Sequence, residues 1–127
     1  MLLYIVEDEH IRLEINGDEG LEIHGEPFGP LQMLATSLAL CTASTMHDYA
    51  VTAQFHLHEF AIDVRWDYAE QPYRIGHIQM AVEVGPDIPP SRQNALLRSA
   101  KHCTVHNTLM HHTSVTTTLE VAGAEQA

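Results

Sequence analysis

Residues 29–43, Gly-Pro-Leu-Gln-Met-Leu-Ala-Thr-Ser-Leu-Ala-Leu-Cys-Thr-Ala, open the stretch of sequence that decides the fold. Pro30 suits the first position of a helix, where its missing N–H leaves no hydrogen bond unmade. The helix predicted from there runs from about Leu31 to Ala53 and is apolar on nearly every side, which is typical of a buried helix. Cys41 lies near its middle. One sheet covers only one side of such a helix, so we expect a homodimer.

Alternating residues before this helix predict short strands. Ile11, Leu13 and Ile15 alternate with polar residues, which is the period of a strand with one buried face. A turn at Asn16-Gly17 is expected to lead into a return strand through Leu21 and Ile23, forming a hairpin with one dry face.

The sequence after the helix predicts a longer antiparallel hairpin, a turn at 69–73 joining its two strands. The apolar positions of the first strand are 60, 62, 64, 66 and 68, with His56 and His58 continuing the same face, and those of the second are 78, 80, 82 and 84. A break at 85–90 precedes a helix at 91–102, a short helix or its continuation from about Cys103, and a last strand through 115, 117, 119 and 121. This order predicts an α+β fold with helices packed on one face of an antiparallel sheet.

The composition indicates one domain over residues 1–127, with the N-terminal strands in 1–26 and a tail at 122–127. Lys plus Arg number 6 and Asp plus Glu number 17, so the formal net charge is -11. This charge disfavours nucleic acid and an anionic membrane surface as partners. The N-terminus lacks the pattern of a signal peptide, and residues 28–46 are too polar for a membrane span. We therefore expect a cytoplasmic protein.

Two cysteine segments together resemble those of the OsmC/Ohr family of small thiol-dependent peroxide reductases. The first is the helix quoted above, with Pro30 eleven residues before Cys41. The second, at 100–109, reads Ala-Lys-His-Cys-Thr-Val-His-Asn-Thr-Leu. The resemblance covers about residues 27–121. It implies an OsmC-like fold, in which an antiparallel sheet packs on a long central buried helix in an intertwined homodimer.

The resemblance also implies a reaction. In the family, a peroxidatic cysteine reduces an organic hydroperoxide and becomes a sulfenic acid, and a second cysteine forms a disulfide with it. An external dithiol, of lipoyl type in the Ohr branch, then restores both thiols, and no bound cofactor is implied. By position Cys41 is the peroxidatic residue and Cys103 the resolving one. Arg12 is the basic residue of the N-terminal strands that could stand for the family's catalytic Arg, although a rough alignment places that Arg nearer His10.

The sequence departs from the family pattern beside the motif proline. The Ohr branch has a Glu directly after it, where this chain has Leu31, and another branch has its Glu one position later, where this chain has Gln32. Gln32 can hydrogen-bond at the site but cannot orient an Arg by charge. The second cysteine is followed by Thr104 instead of proline. A protonated histidine is therefore an alternative activator of Cys41, with His10 and His58 as candidates.

Two other functions stay open. A family member without the acidic residue could serve as a dimeric binding or scaffold protein, in which the cysteines are inert core thiols. The pairs His56/His58 and Cys103/His106 have spacings that could contribute to a metal site, which makes a Cys/His metal-binding protein the third alternative.

Overall fold

The computed structural model describes residues 1–123, which form one five-stranded sheet and three helices. The elements in chain order are β1 (Leu2–Glu7), β2 (His10–Ile15), β3 (Glu22–His24), α1 (Pro30–Thr52), β4 (Phe60–Ala69), β5 (Arg74–Val84), α2 (Pro90–Ala100) and α3 (Thr104–Met110). The predicted α+β class, the long helix and the β4–β5 hairpin are confirmed. Residues 124–127 of the predicted tail lie outside the described residues.

The sheet has the strand order β3-β1-β2-β4-β5. The β1–β2, β2–β4 and β4–β5 pairs are antiparallel. In the central pair, Ile11 lies opposite Val64 and Leu13 opposite Ile62, and all four side chains are fully buried. Because successive side chains of a strand point to opposite faces, the residues between them belong to the other face of the sheet.

β3 is not the antiparallel partner of β2 that the sequence predicts. β1 and β4 occupy the two edges of β2, so the chain crosses over and β3 pairs in parallel with β1. The Met1 ammonium holds this crossover by donating hydrogen bonds to the carbonyls of Asp18 and Gly20. Leu21 and Ile23 are 39% and 40% exposed, so the predicted dry face of this strand is also wrong.

α1 packs on the sheet face that carries the apolar alternation. It begins with Pro30 in the first turn, as predicted, and Gly29 is its N-cap. Leu38 and Met46 are buried with the sheet residues in one core, whereas Met33 and Val51 are more than half exposed. A single chain therefore covers one side of the helix and leaves apolar residues of another side open.

Two sequence predictions of strand structure are wrong. Residues 113–121 form no strand, and Val115, Leu119 and Val121 are 84%, 90% and 70% exposed. A strand needs a neighbour for its backbone hydrogen bonds, and no strand in the described part of the chain pairs with this segment. His56 and His58 precede β4 in an exposed loop and stack on each other instead of extending its apolar face.

Candidate functional site: a thiol pair between two helices

α1 and α3 bring the two cysteines of the chain together. Cys41 lies in the middle of α1, and Cys103 is the N-cap of α3. Both are free thiols, and Cys41 lies near enough to Cys103 to raise its pKa. The pairing comes from the packing of α3 on α1, a contact that neither cysteine segment predicts alone.

Cys103 is buried and caps its helix with sulfur. Its side chain is 0% exposed, and Sγ accepts a 3.1 Å hydrogen bond from the backbone N–H of His106. Burial raises the pKa of the Cys103 thiol, and the hydrogen bonds from the His106 N–H and the Thr42 side chain oppose that rise. The nearby Cys41 thiol raises the pKa further. The predicted start of a helix at Cys103 is confirmed. The free N–H group at this helix start lowers the pKa of the thiol, but burial raises it by more.

Cys41 differs from Cys103 in its access to solvent. It is partly exposed in the described structure, whereas Cys103 lies beneath the surface. A thiolate must reach its substrate to act as a nucleophile. The geometry is therefore compatible with the order predicted from sequence position, in which Cys41 meets the substrate and Cys103 acts second.

Thr42 and Met80 complete the surroundings of Cys103, and the sequence analysis missed both. Thr42 Oγ1 lies 3.8 Å from Cys103 Sγ and 3.5 Å from Met80 Sδ. Thr42 directly follows Cys41, and Met80 belongs to the apolar alternation of β5. Thr42 is buried and Met80 is partly buried. Only the packing of β5 against α1 brings Met80 to Thr42, which lies beside the thiol.

Arg12 lies on the sheet face opposite α1. Its guanidinium bonds Asp63 at 2.7 Å, Glu14 at 3.1 Å and Glu83 at 3.5 Å. The hydrogen bond with Glu14 has the largest effect and raises the pKa of Arg12 above its ordinary value. Burial, which is next in size, lowers this pKa, and the hydrogen bond to and charge of Asp63 raise it. In one chain, three carboxylates thus surround the cation predicted to activate Cys41.

The two histidines considered as activators are also placed away from the thiols. His10 shares the face of Arg12, and its Nε2 lies 2.7 Å from Asp63 Oδ1. His58 belongs to the exposed loop before β4. Within a single chain the sheet separates His10 and Arg12 from Cys41, so any contact between Arg12 and a thiol requires a second copy of the chain.

Gln32 holds backbone at the start of α1. Its Oε1 accepts a 2.9 Å hydrogen bond from the N–H of Gly29, and its Nε2 donates a 2.7 Å bond to the carbonyl of Asp8. Leu31, which occupies the other acidic position of the family pattern, packs partly buried against the core. Neither residue replaces the missing carboxylate as a partner for Arg12.

A cavity of about 580 Å³ opens among α1, β5, α2 and α3, and its lining includes Met80 but neither cysteine. Its walls come from α1, β5, α2 and α3 and are mostly apolar, including Leu38, Met80, Ala100 and Leu109. Pockets of this size and lining are typical of sites for small apolar molecules.

The described residues contain no group of three or more His, Cys, Asp or Glu side chains that could hold a metal ion. His56 and His58 stack with their ring centroids 4.9 Å apart, and His106 meets Cys103 through its backbone N–H. The described part of the chain also contains no helix with the length and apolar character that crossing a membrane requires.

The family model described as OsmC-like protein matches residues 23–118. The fold resembles that of a Psychrobacter arcticus protein described as an osmotic stress induced and detoxification response protein, with a TM-score of 0.60 and 25% identity over 66% of this chain. The alignment spans 61% of that relative's length. An OsmC-like hydroperoxide resistance protein of Jannaschia shares the fold with a TM-score of 0.57 and 21% identity, over 76% of this chain and 69% of that one. No protein of curated function matches the sequence.

Proposed function

The chain belongs to the OsmC-like protein family, and on that premise we propose that it is a stress-response peroxidase that reduces organic hydroperoxides through Cys41 and Cys103. The observation that carries the proposal is the meeting of two free thiols, one partly exposed and one buried, between α1 and α3. The two proteins of similar structure, one described as a detoxification response protein and the other as a hydroperoxide resistance protein, support the same class of activity.

The reaction has two steps on this chain. The Cys41 thiolate attacks an oxygen of the hydroperoxide, so an S–O bond forms, the O–O bond breaks and the leaving alkoxide takes a proton to become the alcohol. Cys103 then attacks the sulfenic sulfur of Cys41, so the S–S bond forms, the S–O bond breaks and the departing hydroxide takes a proton to become water. An external dithiol reduces the disulfide and is itself oxidised to a disulfide.

The apolar cavity supports an organic substrate with an apolar body. Met80 lines it and contacts Thr42, whose hydroxyl lies 3.8 Å from Cys103 Sγ. Free thiols suit a reducing compartment, so we place the protein in the cytoplasm.

A homodimer is part of the proposal. Met33 and Val51 on α1 and the apolar residues of segment 113–121 are exposed in one chain, and such surface is typical of a site covered by a partner. A second copy is also the route by which Arg12 would reach Cys41. Sedimentation at micromolar concentration tests the assembly, and a monomer under those conditions would contradict it.

Intact-mass measurement after mild treatment with cumene hydroperoxide tests the redox proposal. We expect a loss of two hydrogen atoms, a disulfide-linked peptide containing Cys41 and Cys103, and recovery of the starting mass with dihydrolipoamide. Cys41→Ser should abolish hydroperoxide consumption, and Cys103→Ser should retain the first turnover and accumulate the sulfenic acid on Cys41.

The competing function is a binding or scaffold protein with inert thiols. One observation favours it: Gln32 binds backbone and Arg12 binds three carboxylates, so one chain offers Cys41 neither member of the family's Arg–Glu pair. An unchanged mass after peroxide treatment, with Cys41 no more reactive than Cys103 toward iodoacetamide, would establish this alternative over the peroxidase.

A further inference from the structure

Thr42 uses its side chain differently from Thr36 and Thr45 of the same helix. Thr36 donates to the carbonyl of Gln32 at 2.7 Å and Thr45 to that of Thr42 at 2.9 Å, the usual way for a helical threonine to satisfy its hydroxyl. Among the described residues, the Thr42 hydroxyl has only sulfur partners, Met80 at 3.5 Å and Cys103 at 3.8 Å. Thr42 is 0% exposed, so water does not compete for these contacts.

We propose that Thr42 is a positioning residue whose hydroxyl reverses its hydrogen bond when Cys103 ionises, and so stabilises the thiolate that resolves the sulfenic acid. The inference rests on the proposed function for the resolving step. The hydrogen bond between the Thr42 hydroxyl and Cys103 does not depend on that function, because it follows from the positions of the two side chains.

The reversal follows from the hydrogen atoms available. A neutral Cys103 thiol can donate its S–H to Thr42 Oγ1, while Thr42 donates its O–H to Met80 Sδ. The thiolate has no hydrogen to donate, so the Thr42 O–H turns about its C–O bond and points at Cys103 Sγ. A thioether is a weak acceptor and loses little, whereas a hydrogen bond to an ionised group is about twice as strong as a neutral one.

Few groups around Cys103 favour its thiolate, so the Thr42 hydroxyl is one of the main contributors to stabilising that ion. Burial raises the pKa of Cys103, and the titratable Cys41 on α1 raises it further. The contributions that lower the pKa are hydrogen bonds, from the His106 N–H of α3 and from Thr42. β5 contributes the uncharged Met80, and Lys101 and His102, which lead from α2 to Cys103, are exposed.

The test measures the ionisation of Cys103 directly, in a Cys41→Ser background and without peroxide. The readout is the ultraviolet absorbance of the thiolate as a function of pH, together with the pH profile of iodoacetamide labelling after brief exposure. Thr42→Val keeps the volume and removes the hydroxyl, and Thr42→Ser returns the hydroxyl. Thr36→Val is the matched control, because it removes a buried hydroxyl of the same helix that binds a carbonyl.

We expect Thr42→Val to raise the Cys103 pKa by about one unit, a tenfold change in the ionisation equilibrium, while Thr42→Ser and Thr36→Val stay within a few tenths. Equal values for Thr42→Val and the parent would overturn the proposal, as would equal shifts in Thr42→Val and Thr36→Val. If Thr42→Val does not fold, Met80→Leu provides the second test. Removing the competing acceptor should lower the Cys103 pKa, and an unchanged or raised value would contradict the reversal.

The activity assay separates this inference from the function beneath it. A Thr42-dependent pKa in a protein that consumes no hydroperoxide would support the hydrogen bond and overturn the peroxidase. A working peroxidase whose Cys103 pKa ignores Thr42 would overturn the positioning role alone.

Discussion

The side-chain amide of Gln32 donates a 2.7 Å hydrogen bond to the backbone carbonyl of Asp8, which ties the start of α1 to the turn between β1 and β2. The same amide accepts from the Gly29 N–H, so both of its polar atoms are used on backbone groups. At the position where one family branch carries a Glu, this chain therefore has a residue that holds two backbone segments together. A glutamate there would meet a carbonyl oxygen where the amide presents a donor.

Gln32→Glu is expected to lower the free energy of unfolding by about 1–3 kcal/mol, because it removes the donor from the Asp8 carbonyl and places a buried charge beside that oxygen. Hydroperoxide consumption should not rise. Urea denaturation measures the effect. Gln93→Glu is the control, since Gln93 is exposed and its 3.4 Å bond to the Ile88 carbonyl is long. Increased activity in Gln32→Glu without loss of stability would show that the acid of the family pattern fits this site.

Arg12→Ala is expected to cost about 1–2 kcal/mol of stability, because Asp63, Glu14 and Glu83 lose the cation that they share. Asp63 is the most buried of the three carboxylates and keeps His10 as a partner. Arg65→Ala, an exposed arginine of the same sheet face, is the control. If a second copy supplies Arg12 to Cys41, the variant also slows alkylation of Cys41, and the slowing disappears on dilution to monomer.

The raised pKa of Cys103 predicts that stability declines in alkali. The folded pKa lies above the ordinary value of 9.0, so the folded state holds this proton more tightly than the unfolded chain. The corresponding stability is complete below 9.0 and is lost as the pH rises from there through the folded pKa. Denaturation under reducing conditions at a series of pH values should show a steeper decline for the parent than for Cys103→Ala. Parallel curves would mean that burial does not perturb this thiol.

Gly25 predicts a stability effect of a different origin. Its φ is +97°, and a Cβ added there would lie 2.9 Å from the backbone oxygen of Ile5. Gly17 has a similar φ of +86° but open space around the position of its Cβ. Gly25→Ala should therefore destabilise the protein by about 1–3 kcal/mol, and clearly more than Gly17→Ala, which carries only the backbone strain. Thermal unfolding of both variants decides whether the close approach to β1 adds to the cost.

Local sequence patterns were sufficient for most of the fold. The alternation through Ile62 and Val64 and the apolar run after Pro30 each act within one element, so β4 and α1 could be predicted from them. The parallel placement of β3 could not, because it depends on β1 and β4 taking both edges of β2 and leaving the outer edge of β1 free. Segment 113–121 has the alternation of a strand but no neighbour in the described chain, and alternation alone cannot supply one.

The residues of the candidate site also fall into those that local sequence predicts and those that only packing brings together. Cys41 and Cys103 were identified through the family resemblance, and the helix start at Cys103 was readable from its surroundings in sequence. Thr42 was not, because a threonine after a cysteine carries no signal until β5 brings Met80 beside it. Arg12 was identified as the basic residue of the N-terminal strands, but its ion pair with Asp63 depends on the register between β2 and β4.

The strand order also affects the rate at which the chain folds. The β1–β2 and β4–β5 hairpins join residues close in sequence, whereas the β2–β4 pairing that unites them, with His10 opposite Arg65, must close a loop containing all of α1. Long loops cost entropy before their contacts form, and non-local pairings slow folding. We therefore expect the pairing of β2 with β4, where Ile11 lies opposite Val64, to limit the rate of folding. Conservative truncations there should slow refolding, while equally buried truncations at α2, such as Leu96→Ala, should mainly accelerate unfolding.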